Sequence, residues 1–432
     1  MNDHQLFLFL VDVTVLFVAA RLGGELAARI GIPLHVGELV FGIMLGPSLL
    51  GLIAPNAFEA LFPAEPTQRA LLDVFSWTGV VMLVLIGGLE ARLGILASAR
   101  AAVIGSWIGG FTLPFAAGFA LGMVFPEALV PTAVGRPVFA LFLATAMSIS
   151  AIPVIARILM DLDLFRTRTG SVIIAAAVAD DTIGWIVLSV VTGLAAGGVA
   201  VGSVARTILL TAAFVGLALT VGRLVVDRAL SLGSRLRIPH GNTSIMFAIV
   251  LVFAAVTQAI GVHLVLGAFV AALLIGRSGK VDRRTVTGLR EIGMGFFVPF
   301  FFAYTGIKVD LTMLRGSALA FTVAAVIVAC LGKIIGGGLG ARLGGLPKWE
   351  ALAVGFGLNA RGAMELVIAS IGLSIGVLNE ATYAMVVLIA VFTTVMTAPL
   401  LRWCIGRAGP SSLDEAPVAI EDHVDVDTLV VA

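Results

Sequence analysis

Charge is scarce in this chain: of 432 residues only 12% are Asp, Glu, Lys or Arg, whereas 59% are hydrophobic. A soluble domain carries about twice that charged fraction, so a soluble protein is excluded. Cysteine is scarcer still, and Cys330 and Cys404 both fall inside apolar stretches. That excludes a disulfide framework or a cysteine metal cluster and leaves two small buried hydrophobes. The formal net charge is +1, which gives no sign of a nucleic-acid partner. Strict alternation of apolar and polar residues is missing, which excludes a transmembrane β-barrel. The opening "MNDHQ" lacks the positive region of a cleavable signal, so the first helix is expected to remain in the mature chain.

The chain has instead a series of apolar blocks about 20 residues long, enough to cross a bilayer as helices. In lipid every backbone N–H and C=O needs an internal partner, so these blocks must be helical. The breakers divide them into thirteen predicted spans: about 5–28, 33–50, 70–90, 101–125, 137–160, 170–194, 204–227, 243–259, 262–277, 291–308, 317–343, 350–374 and 381–407. The expected fold is an all-α polytopic membrane protein. Of the 27 basic residues, 20 fall at the connections that follow odd-numbered spans or at the adjoining helix ends, and Arg69, Arg136, Arg206, Lys308 and Arg315 fall on the other side. The positive-inside rule therefore puts the N-terminus outside and the C-terminus in the cytoplasm of a cell membrane. Residues 408–432 carry six acids and no Lys or Arg, which reads as a short disordered cytoplasmic tail with no room for a nucleotide-binding domain.

Two spans are interrupted. The fifth contains Pro153 in "TAMSISAIPVIARILMDL", and the twelfth contains Gly355, Gly357, Asn359 and Gly362 in "ALAVGFGLNARGAMELVIASIG". Each is the second-last span of its half in a six-plus-one-plus-six plan with span seven as linker. The shift of seven between them is odd, so equivalent helices run in opposite directions. Inverted repeats with paired discontinuous helices point to a transporter whose site lies at the midplane. Pro153 cannot donate to the Ile149 carbonyl, so that carbonyl and the Ser148 and Ser150 hydroxyls are expected as free oxygens suited to a small hard cation.

Asp180 and Asp181 stand together in "AVADDTIGWIVL", about ten residues into the sixth span and near the middle of the membrane. Neighbouring residues on a helix point about 100° apart, so the two carboxylates need separate partners. The only lysine at comparable depth is Lys333 in span eleven, and Arg361 is the other basic residue not assigned to a connection or an adjoining helix end. Two ionised acids and one ammonium leave a net charge of −1, which attracts either a cation or protons, so the two compete. Intramembrane ionisable groups are functional by default. A cation channel would need a repeated filter, and an intramembrane aspartyl protease would need two acids facing each other from different helices. Neither pattern is present, and a net-negative pair is a poor site for an organic anion.

Six stretches in order carry a resemblance: "VGELVFGIMLGPSLLG", "LIGGLEARL", "SISAIPVIARIL", "VADDTIGWIVL", "FFVPFFFAYTGIKVDL" and "NARGAMELVIA". Together they resemble the cation:proton antiporter superfamily, in particular the cation:proton antiporter-2 branch that includes the plant cation/proton exchangers. The resemblance implies a sodium/proton antiporter-like fold with two crossed discontinuous helices, in a homodimer within the lipid bilayer. It implies a 1–407 transport domain, with scaffold helices at about 5–95 and 243–308, core helices at about 101–194 and 317–407, and a linker at 204–227. It implies that Asp181 binds ion and proton and that Asp180 pairs with Lys333 when no substrate is bound. Ser150 matches the hydroxyl of the first crossing helix, and Arg361 and Glu365 match a charged motif of the second. Some family members carry Asp where this chain has Ala151. Two acids with a lysine go, in the family, with electrogenic exchange of two protons per sodium; an electroneutral potassium/proton exchanger is the alternative. No cofactor is implied. Glu38 and Glu90 read as acids near interfaces, Asp12 as a partly solvated acid, and His263 as a surface or capping histidine. The Arg-heavy, Ala- and Gly-rich composition points to a bacterium with a GC-rich genome.

Overall fold

A computed structural model describes residues 3–63, 65–90, 99–132, 134–165, 167–197, 201–233, 240–261 and 263–408. The acidic tail from residue 409, and Arg92, Arg166, Arg235 and Arg237 from the charge tally, lie outside the described residues, as does the side chain of Glu90. Apolar runs fold as helices throughout. The first span is α1 (Asp3–Arg29); a left-handed Gly31 (φ +74°) turns the chain into α2 (Leu34–Leu45), followed by the short α3 (Leu50–Ile53) and α4 (Pro55–Leu61). Next come α5 (Pro66–Glu90), α6 (Arg100–Met123), the split pair α7 (Arg136–Ser148) and α8 (Ile152–Asp161), and α9 (Arg168–Gly197). α10 (Val201–Leu217) continues through a π-helical turn into α11 (Arg223–Gly233). Then follow α12 (Gly241–Ala259) and α13 (Leu264–Ser278), and α14 (Arg283–Ile292) runs through a second π-turn into α15 (Val298–Ile307). The chain closes with α16 (Ser317–Leu343), the split pair α17 (Lys348–Leu358) and α18 (Ala363–Ser374), and α19 (Glu380–Ala408).

Eleven helices among the described residues are long and apolar enough to cross a membrane, so this is a multi-pass membrane protein. The other two predicted spans are helical but short: the fifth is broken after Ser148, and α13 has 15 residues, ended by a left-handed Gly279. The tenth span becomes helical at Arg283, earlier than the apolar block begins, because α14 is strongly amphipathic.

The helices pack in two groups. In one, α6, α7, α8, α9, α16, α17, α18 and α19 lie against one another; in the other, α1, α2, α5, α12, α13 and α15 do. The main links between groups are α9 on α13 and α15 on α18, and the Tyr383 hydroxyl donates to the Thr305 carbonyl at 2.7 Å. α10 and α11 run along α9, α12 and α13.

The seam between α6 and α16 is the tightest in the first group. Gly105 faces Gly340, Gly109 faces Gly336 and Pro114 faces Gly332, so residue numbers rise on one helix as they fall on the other. A methyl group on either Gly109 or Gly336 would run into the other's backbone carbonyl. Small residues four apart allow this approach, and backbone contact replaces side-chain packing where lipid supplies no hydrophobic drive. The antiparallel seam joins spans four and eleven, equivalent positions in the inverted plan.

Candidate functional site

A membrane helix that breaks must find partners for its freed carbonyls and N–H groups, and both interruptions break completely. After α7, Ile149 and Ala151 are extended (ψ 143° and 105°) before α8 begins, with Pro153 in its first turn. The discontinuity expected at Pro153 therefore starts several residues earlier, because proline starts α8 rather than kinking a continuous helix. After α17, residues 359–362 are non-helical before α18. The two gaps cross: the Ala151 N–H donates to the Ala360 carbonyl at 3.1 Å, and the Ser150 hydroxyl lies 2.8 Å from the Leu358 carbonyl.

The carbonyls at the end of α7 are capped by cations. Arg361 donates through Nη1 to the Ala146 carbonyl at 2.7 Å and through Nη2 to the Met147 carbonyl, while Lys333 Nζ donates to the Ser148 carbonyl. Two positive groups at a helix C-terminus also suit its dipole. Arg361 is itself held by Thr394 of α19, whose hydroxyl accepts from the Arg361 N–H at 3.2 Å and donates to the Arg361 carbonyl. Thr394 carries no motif in the sequence, and only its contact with the second break reveals it.

Asp180 and Asp181 sit mid-way along α9 and are both buried. Asp180 Oδ2 accepts from Lys333 Nζ at 2.5 Å and lies 2.6 Å from the Ser150 hydroxyl. The Ser150 hydroxyl has one proton and two neighbouring acceptors, Asp180 Oδ2 and the Leu358 carbonyl, so it serves one at a time. Among the described residues Asp180 Oδ1 and Asp181 Oδ1 have no hydrogen-bond partner. The Ser148 hydroxyl is spent on the Ala144 carbonyl of its own helix at 2.7 Å, so the Ser148 group that meets Lys333 is the carbonyl instead. Asn359 ends α17 with its amide nitrogen 3.8 Å from Cys330 Sγ and its Oδ1 without a partner among the described residues. Glu365 Oε1 is 3.5 Å from Arg361 Nη1, and its Oε2 is likewise without a partner among the described residues.

Five buried ionisable groups thus gather around the crossing. Asp180, Asp181 and Glu365 oppose Lys333 and Arg361, a formal balance of −1 when all are ionised. Such a site can take one monovalent cation, or protons, to reach neutrality. Among the described residues no group of three or more His, Cys, Asp or Glu is placed to hold a metal ion.

Three residues expected near water or at helix ends have definite places. Asp12 is fully buried and accepts from Gln68 Nε2 at 2.6 Å, so the expected partial solvation is corrected: α5 covers that face of α1. Glu38 is buried too, 3.7 Å from the half-exposed Arg21. His263 caps α13, its Nδ1 accepting from the Val265 N–H at 3.4 Å.

Residues 13–403 match a family model described as sodium/hydrogen exchanger, transmembrane. The chain is 32% identical over 405 residues to the Na+/H+ antiporter NhaS4 of Synechocystis, covering 93% of this chain and 98% of that protein. It is 32% identical to cation/H+ antiporter 18 of Arabidopsis thaliana over 92% of its own length, and it spans about half (49%) of that plant protein. Its fold is similar to the solved structure of the sodium proton antiporter MjNhaP1 of Methanocaldococcus jannaschii at pH 8, with a TM-score of 0.68 at 17% identity, covering 95% of this chain and 100% of that one.

Proposed function

The chain belongs to the sodium/hydrogen exchanger family, as a transporter that exchanges a cation for protons, and we propose that its cation is sodium and that the exchange is electrogenic. Asp181 is the acid that takes cation or proton, with Asp180 and the Ser150 hydroxyl completing the site. One observation carries the reading: at the crossing, Asp180 is held by Lys333 while the adjacent buried Asp181 keeps a free carboxylate oxygen. An entering cation displaces the Lys333 ammonium from Asp180, whereupon Lys333 gives up one proton, and it displaces a second proton from Asp181. Releasing both protons for one cation moves one net charge per cycle. Through a 100 mV potential that charge supplies about 2.3 kcal/mol, which drives cation extrusion against a gradient.

In this reading the group of helices that bears the crossing, α6–α9 and α16–α19, moves against the other group, with α10 and α11 linking them. The site then opens to one side of a cell membrane at a time. The N-terminus lies outside, the C-terminus lies in the cytoplasm, and two copies associate through their scaffolds. No cofactor takes part and no covalent chemistry occurs, and the cellular role is control of internal pH and sodium.

The test is purified protein in liposomes containing a pH dye, under an imposed pH gradient, challenged with sodium, potassium or lithium chloride. Sodium-dependent proton movement that disappears in Asp181→Asn supports the assignment, and charge movement on a supported membrane reports the stoichiometry. Potassium response without charge movement would replace the sodium reading with electroneutral potassium/proton exchange. Full activity in Asp181→Asn would remove that residue from the site.

A further inference from the structure

At the end of the bundle where α17 begins and α19 finishes, two tryptophans and two cations form one cluster. Trp349 and Trp403 pack edge to face with ring centres 5.4 Å apart and planes at 89°. The Arg407 guanidinium lies over both rings, 4.5 Å from Trp403 and 5.2 Å from Trp349, and Lys348 Nζ is 5.6 Å from Trp349. Lys348, Trp403 and Arg407 are exposed. Among the described residues neither Lys348 nor Arg407 has a carboxylate in ion-pairing range, and Glu350, close by in sequence, is buried. A guanidinium stacked on aromatic faces is fixed in plane, and its N–H edge, which no other described residue takes, has the geometry that grips a phosphate.

α16, which leads into α17 and packs against α17 and α19, carries a surface that fits an acyl chain. On α16, Ile327, Leu331, Ile335, Leu339 and Leu343 are all exposed, and because they recur every fourth residue they form one apolar ridge. The ridge ends at Leu343, which is 88% exposed, five residues before Lys348. An apolar ridge, then amphipathic rings, then unpaired cations is the order of chemistry along a phospholipid, from tail through glycerol to headgroup.

We propose that Lys348, Trp349, Trp403 and Arg407 form a binding site for the headgroup of an anionic phospholipid, with the acyl chain along the α16 ridge. A free phosphate matches the cations but not the ridge. The bound lipid would hold together the start of α17 and the end of α19, the two elements whose Arg361-bearing break and Thr394 meet at the crossing. Binding is independent of which ion is transported.

The experiment is native mass spectrometry of the full chain in neutral detergent, titrated with phosphatidylglycerol, with phosphatidylcholine of the same acyl chains, and with inorganic phosphate. A saturable phosphatidylglycerol adduct, absent with the other two, is expected in the wild type. A surface basic residue contributes about a fivefold gain in affinity for anionic lipid, so Lys348→Gln/Arg407→Gln should weaken that adduct about thirtyfold and Arg407→Gln alone about fivefold. The charge-matched control Arg223→Gln/Arg284→Gln should leave it unchanged, and size-exclusion chromatography establishes that each variant is folded. Equal binding of phosphatidylcholine, saturable phosphate binding lost in the same variants, or an undiminished adduct in either variant would each overturn the proposal.

Discussion

The backbone N–H of Ala151 donates to the carbonyl of Ala360 at 3.1 Å, tying together two breaks more than 200 residues apart in the chain. Neither break could exist alone in a membrane interior, because each leaves polar backbone that lipid cannot satisfy. Each break supplies partners to the other. Arg361 of the second caps carbonyls of α7, Ser150 of the first approaches the carbonyl that ends α17, and Lys333 serves both Asp180 and Ser148. In the proposed reading, the groups that hold the crossing closed are also the groups that meet the ion, which would link the stability of the site to its occupancy.

The Lys333–Asp180 pair gives the first prediction. Lys333→Met leaves a buried carboxylate without its counter-charge and should cost about 3 to 5 kcal/mol, whereas Asp180→Leu/Lys333→Met should recover most of that loss. Thermal unfolding in detergent of both singles and the double measures it. A double variant no more stable than the worse single would contradict the pairing.

Arg361→Lys tests the cap on α7. A lysine cannot span the Ala146 and Met147 carbonyls as the guanidinium fork does, so one is left unpaired at a cost of about 1 to 3 kcal/mol. Transport should fall as well, since the end of α7 is no longer fixed against the crossing. Wild-type melting behaviour with the lysine in place would mean the cap is dispensable.

The α6–α16 seam leaves no room for a side chain. Gly109→Val should destabilise the protein by about 1 to 3 kcal/mol and lower its yield, because a Cβ there meets backbone that can move only if the helices separate. Gly87→Ala on α5, which faces open space, should be neutral or slightly stabilising. Expression followed by fluorescence-detected size exclusion compares the two.

His263, at the connection outside the flanking helices, gives a pH dependence. Burial pushes its imidazole from 6.5 down to about 4, so the folded protein holds the neutral, cap-accepting form. Its contribution to stability is complete above pH 6.5 and is lost as the pH falls toward 4, where the unfolded chain binds a proton that the folded one does not. His263→Asn keeps a capping side chain without the titration. The drop in melting temperature between pH 7 and 5 should be smaller in that variant, and an identical drop would assign the acid sensitivity to other groups.

Much of this was legible in the chain. Insertion into lipid depends on the length and polarity of each segment, which are local properties, so the apolar blocks at 101–125 and 317–343 correspond to α6 and α16 with little displacement. The depths of Asp180 and Lys333 follow from counting residues along those blocks. The breaks could be placed near Pro153 and Asn359 for the same reason: proline and glycine weaken a helix wherever they stand. Residues of the site were less legible where the backbone supplies the contact. Ser148 looked like a hydroxyl ligand, but its hydroxyl bonds one turn back to Ala144 and its carbonyl faces the lysine.

The sequence alone determined a helical membrane protein with two interrupted spans and an acid pair and a lysine at mid-depth, because hydropathy and helix breaking act along the chain. Tertiary structure decided what those groups touch. Lys333 reaches Asp180 across 153 positions of sequence, Thr394 holds the backbone of Arg361, and Gly109 meets Gly336, since a partner is chosen by the path of another helix. That Asp181 Oδ1 has no partner among the described residues is equally a product of packing: Lys333 reaches its neighbour Asp180 instead.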